Sequence, residues 1–99
     1  MPKKKPPMTF AGEVGVRLRM AREANKLTGT ALAIRLGVSP QRLNNWETGD
    51  IVLPPEIAVA IFRELRIGPE YLYLGDDLRL PGDVRDYVRE KSRKDGALG

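Results

Sequence analysis

Apolar residues return at intervals of three and four through most of the chain, the period of helices that bury one face. Val14, Leu18, Ala21 and Ala24 share a face of a first helix expected over 12–25, while Arg17, Arg19 and Lys26 lie on its other side. A second helix is expected over 28–36, with Thr28 as N-cap and Leu32, Ala33 and Leu36 inward. Gly37 follows and can take the left-handed conformation that closes a helix. Ser39-Pro40 restarts the chain: the serine caps, and the proline fits the first position, where no amide donor is needed. This third helix runs to about Thr48, with Leu43 and Trp46 inward and Gly49 at its end. Pro54 and Pro55 precede a fourth helix over 56–65, with Ile57, Ile61, Phe62 and Leu65 inward. Gly68-Pro69 marks a turn into a short fifth helix, 70–74, closed by Gly75. A sixth is expected over 83–89, carrying Val84, Tyr87 and Val88 on a narrow stripe. Strand signals are nearly absent, because Ile51-Val52-Leu53 is too short and too close to the prolines. The expected fold class is all-α.

The ends read differently. Residues 1–9 hold three lysines and three prolines and are expected to form a flexible basic arm. Residues 10–75 form the expected domain, 76–90 an extension, and 91–99 a frayed, disordered tail.

The length of 99 residues fits one domain of modest core. Neither cysteine nor histidine is present, which removes thiolate metal sites, disulfides and Ser/His or Cys/His catalysis. Asp76-Asp77 reads as a solvated turn or cap, not a metal site. No nucleophile–base pair or phosphate loop accompanies it. A non-enzymatic protein without cofactor or metal is expected, in the cytoplasm, since no membrane span or apolar secretory leader is seen. The net charge is +4, unevenly placed. Residues 1–50 hold nine bases and four acids, a net +5, whereas residues 51–99 hold eight and nine, a net −1. A polyanion partner is therefore sought in the first half.

Residues 29–48 carry the informative pattern: two helices joined by a short turn that begins with glycine. Leu32, Leu36, Val38, Leu43 and Trp46 are apolar where both helices must seat on a core. Ala33 is small where they cross, and Gly37 stands where the chain turns sharply.

With Leu18, Arg22, Leu27-Thr28, Ser39, Glu47 and Gly49, this segment resembles the lambda-repressor/Cro-like helix-turn-helix family, also called the XRE family. Pro54, Leu65, Ile67, Tyr71-Leu72 and Leu74-Gly75 are similar to that family's fourth and fifth helices. The resemblance covers about residues 12–75 and implies a five-helix DNA-binding domain, with the short sixth helix outside it. The family is one of the standard examples of groove-reading helices. The third helix would enter the major groove, with Gln41 and Asn45 pairing with adenine, Arg42 reaching guanine or phosphate, and Pro40 offering apolar contact. Asn44 and the amides of Gly29 and Thr30 would hold phosphate, and Arg17, Arg19 and Arg35 would neutralise it. Arg22 and Glu47 would form a structural salt bridge between the first and third helices. Lys3, Lys4 and Lys5 would lie along a groove.

The expected function is sequence-specific binding of double-stranded DNA by a small regulator, a repressor acting as a homodimer on a palindromic operator. The dimer surface is sought at Tyr71, Leu72 and Leu74 or at Val84, Tyr87 and Val88. The alternative is a protein-interaction module such as an antitoxin or antiactivator, with a partner bound at Ile51, Val52 and Leu53. Asp50, at the end of the basic half, and that apolar loop favour the alternative.

Overall fold

A computed structural model describes residues 8–95. The described residues form six helices: α1 (Phe10–Ala24), α2 (Gly29–Leu36), α3 (Pro40–Thr48), α4 (Pro55–Leu65), α5 (Pro69–Leu74) and α6 (Gly82–Asp95). The all-α expectation holds.

Local chemistry explains most of the boundaries. The Thr28 hydroxyl accepts from the Ala31 amide at 3.1 Å, and the Ser39 hydroxyl from the Arg42 amide at 3.1 Å. Both caps were expected. Gly37 closes α2 in the left-handed region, at φ 71°. Helix α1 begins two residues before Gly12 because Thr9 caps it, accepting from the Gly12 amide at 3.0 Å. Helices α4 and α5 each begin on the proline itself, Pro55 and Pro69, one residue before the expected start. The rule applied to Pro40 holds there too: proline's fixed φ suits the first helical position.

One core joins all six helices. Val14, Leu18 and Ala21 of α1 meet Leu32 and Ala33, Leu43 and Trp46, Ala58, Ile61 and Leu65, and Tyr71 and Leu72. Phe62, expected inward, is exposed instead, and the Arg66 guanidinium lies over its ring at 5.6 Å. Ala58 takes the inward place, one turn before Phe62.

The C-terminal segment belongs to the domain. Val84 and Val88 are buried with Leu80 and Met20, and α6 packs on α1. Helix α6 continues past the expected end at Arg89, so residues 91–95 are helical where a frayed tail was expected. Glu90 pairs with both Arg93 and Lys94 along the helix, and the Ser92 hydroxyl lies 3.8 Å from the Met20 sulfur. Residues 96–99 of that tail, and 1–7 of the arm with Lys3, Lys4 and Lys5, lie outside the described residues.

The seam between α1 and α3 is the tightest in the molecule. Gly15 faces the end of α3, where a Cβ would sit 2.5 Å from the Trp46 carbonyl oxygen and closer still to that of Glu47. Only glycine lets the two helices approach this far. Two turns further along the same face of α1, Arg22 binds Glu47 with two parallel hydrogen bonds, Nε to Oε2 at 2.7 Å and Nη2 to Oε1 at 3.0 Å. Its remaining nitrogen, Nη1, donates to the Leu27 carbonyl at 2.9 Å, which ties the α1–α2 turn to the same pair. Both side chains are largely buried, 14% and 9% exposed. The hydrogen bond to Glu47 raises the Arg22 pKa above its already high ordinary value, so the guanidinium stays charged. The structural bridge implied by the family resemblance is present.

Thermal and denaturant melts should therefore separate three substitutions. Gly15→Ala overpacks backbone against backbone and should cost about 3 kcal/mol. Glu47→Ala strands a mostly buried guanidinium and should cost about 3 kcal/mol. Gly29→Ala, where nothing lies within 4 Å of an added Cβ, should leave stability unchanged or slightly raised. Near-equal midpoints for all three would refute a tight α1–α3 seam.

Candidate nucleic-acid interface

Helices α2 and α3 present a cleft of about 310 Å³ beside the bridge. Thr28, Gly29 and Thr30 at the start of α2 form one wall, and Pro40, Leu43 and Asn44 of α3 the other. Arg22 and Glu47 also line it. The Thr28 hydroxyl satisfies only the Ala31 amide. The amides of Gly29 and Thr30 precede the first complete helical turn and have no partner four residues back. They form the positive end of α2, which suits an anion. Gly29 adds no side chain to this mouth, and the space around its Cα is open.

The outer edge of α3 carries amides. Gln41 and Asn45 stand one turn apart, and Gln41 Nε2 donates to Asn45 Oδ1 at 3.0 Å. Each amide fixes the other, leaving the Gln41 Oε1 acceptor and Asn45 Nδ2 donors for an outside partner. An acceptor beside a donor is the pattern that complements the major-groove edge of adenine. Pro40, Gln41 and Asn44 are exposed, and Asn45 is half-buried.

Arginines expected to act alike are placed very differently. Arg42 lies over the Trp46 indole, 5.4 Å from the ring centre, which stacks its guanidinium on the buried root of α3. Trp46 itself is a core residue. Arg35 is exposed on α2. Arg19 is 64% exposed and bonded to Glu23 at 3.2 Å. Arg17, expected to neutralise phosphate, is turned inward. Its side chain is only 12% exposed, Nη1 donates to the Leu72 carbonyl at 3.1 Å, and Nη2 lies 3.7 Å from Glu13. It braces α1 to α5 and is not displayed to a phosphate backbone. Periodicity put it opposite the apolar stripe, but α5 and α6 cover that side of α1 as well.

Two further expectations change on burial. Tyr71, Leu72, Val84 and Val88, sought as a dimer surface, are core residues of their own chain; Leu74 is exposed and Tyr87 half-buried. A narrow apolar stripe docks equally well on its own domain, and here it does. Of the suggested partner-binding loop, Ile51 and Val52 are exposed but Leu53 is buried, its carbonyl accepting from the Tyr73 hydroxyl at 2.6 Å. Asp50 is exposed.

Two short helices crossing at Ala33, a left-handed glycine between them and an outward amide edge on the second describe a helix-turn-helix unit. A family model described as a helix-turn-helix domain matches residues 13–70. The chain belongs to this helix-turn-helix family. The matched region runs from the first turn of α1 into α5, so α6 lies beyond it. No curated protein and no solved structure shows significant similarity to the chain. Among the described residues, no helix is long and apolar enough to cross a membrane, and no cluster of acidic side chains suits a metal ion.

The pairing of Gln41 with Asn45 and the stacking of Arg42 on Trp46 were not foreseen. Both are i, i+4 relations within α3, so spacing alone carried the signal.

Proposed function

We propose that this helix-turn-helix protein is a non-enzymatic, sequence-specific DNA-binding regulator of the cytoplasm. Its role is that of a repressor working as a homodimer on a palindromic operator. The observation that carries the reading is the coupled amide pair Gln41–Asn45 at the open edge of α3, beside the anion-binding mouth of α2. Phosphate would settle between the Gly29 and Thr30 amides and Asn44, fixing register, while the amide pair reads a base. Arg35 and Arg19, both exposed, supply the neutralising charge that Arg17 does not.

One domain reading so few bases needs a second copy to specify a site. With four of the six expected dimer residues buried, the exposed apolar side chains of the α3–α4 loop and α4 support a different surface: Ile51, Val52, Val59 and Phe62. The loop follows the reading helix directly, so a dimer formed there would keep the two reading helices close to its axis. The same exposed residues favour the second reading, an interaction module such as an antitoxin that clasps another protein.

Titration with duplex DNA from upstream of its own gene, at two salt concentrations, tests the reading. Affinity should fall steeply with salt. Gln41→Ala should reduce discrimination between specific and random DNA about tenfold, while Arg35→Ala should weaken both alike. Salt-independent binding, or unchanged discrimination in Gln41→Ala, would contradict it. Sedimentation of the chain bound to DNA should give two copies per operator, and Phe62→Glu should reduce this to one. A single wild-type copy per site would rule out the homodimer.

A further inference from the structure

On the other side of α1 lies a second cavity, of about 540 Å³, between α1, α5 and α6. Arg17 lines it, two residues after Gly15 and hence about 200° around the helix from the α3 seam. Its lining also holds Arg89 and Arg93 of α6, with Asp77 as the one acid. That acid is committed: Arg89 grips it with bonds of 2.7 and 2.9 Å, which hold the Asp77 carboxyl below the usual carboxylate range. Arg17 and Arg93 therefore leave the lining with a net positive charge. Each also keeps a partner outside the lining: Arg17 Nη1 donates to the Leu72 carbonyl while its Nη2 lies 3.7 Å from Glu13, and Arg93 is hydrogen-bonded to Glu90.

A hydroxyl faces the same space. Tyr71 is 95% withdrawn from solvent (5% exposed), yet its oxygen is not sealed in the core and has no hydrogen-bond partner among the described residues. Burial pushes its pKa up to about 12, so it remains a donor throughout the neutral range. Ser92 also lines the space, its hydroxyl 3.8 Å from the Met20 sulfur, and Leu74 and Val88 give the cavity an apolar wall. Gly75 opens the floor, because a Cβ there would stand 3.2 Å from Arg17 Nη2.

The geometry points to a binding site for a small amphipathic organic anion. A carboxylate or phosphate head would meet the Arg17 and Arg93 guanidiniums and the Tyr71 hydroxyl, and an apolar body would lie along Leu74 and Val88. A volume of this size is typical of small-molecule sites. The site is independent of DNA reading, since it lies across α1 from the reading helix.

Calorimetric titration of the full chain with phenyl phosphate and with benzoate tests the site, with inorganic phosphate as reference. At least one aryl anion should bind saturably, more tightly than inorganic phosphate, and the tighter of the two identifies the preferred head group. Arg93→Gln removes an exposed cation, and Tyr71→Phe removes only the hydroxyl while keeping the ring in the core. Each should weaken binding about tenfold, with the far-ultraviolet dichroism unchanged. No saturable binding of either aryl anion would overturn the proposal. So would equal binding of inorganic phosphate, or affinity that neither substitution alters.

Discussion

At Gly15 the backbone of α1 lies against the last carbonyls of α3 with no side chain between them. That approach fixes the depth at which α3 sits, and the Arg22–Glu47 pair fixes its rotation and its distance from the α1–α2 turn. The other features of the proposed reading surface follow from these two contacts. With Glu47 and Trp46 held inward, the α3 periodicity leaves Gln41, Asn44 and Asn45 on the open side. A carboxylate near a DNA-reading surface would ordinarily repel phosphate. Here it is bonded twice to a guanidinium that is itself mostly buried, so its charge is compensated where it lies.

The positive charge of the first half divides by depth. Arg22 and Arg17 are structural, one under α3 and the other beneath α5, whereas Arg19, Arg35 and Arg42 remain at the surface. The net +5 of residues 1–50 therefore overstates what is offered to a polyanion. What the two inward arginines provide is rigidity. One anchors the reading helix, and the other, through the Leu72 carbonyl, anchors the helix that closes the opposite side.

Local rules were legible in the sequence where a single side chain decides the outcome. Thr28, Ser39 and Gly37 act on their own turns, and each stands where propensity placed it. The inward stripes of α1 to α3 were equally readable, because their apolar residues recur at helical spacing, although Ile34 of α2 is exposed. Phe62 was not, since Ile61 and Phe62 are adjacent on α4, about 100° apart, and periodicity alone does not say which of them lies deeper. Nor was the length of α6: residues 91–95 have no apolar pattern, and their helix is held by Glu90 pairing and by contact with Met20 on a distant segment. The fate of Tyr71, Val84 and Val88 was undecidable for the same reason. A stripe states that a face will be covered, and only tertiary contacts state by what. The cation-lined cavity had no signal at all, because it brings α1 together with α5 and α6, which are far from it in the chain.

On the proposed function, the seam at Gly15 and Arg22–Glu47 presents the amide edge of α3, and the mouth of α2, to duplex DNA. The most direct measurement is a residue-resolved NMR titration of the full chain with the duplex upstream of its gene. The largest shift changes should fall at Gly29, Thr30, Gln41, Asn44 and Asn45, with α6 nearly silent. Changes centred on α6, or on Ile51 and Val52 while α3 stays unperturbed, would contradict it.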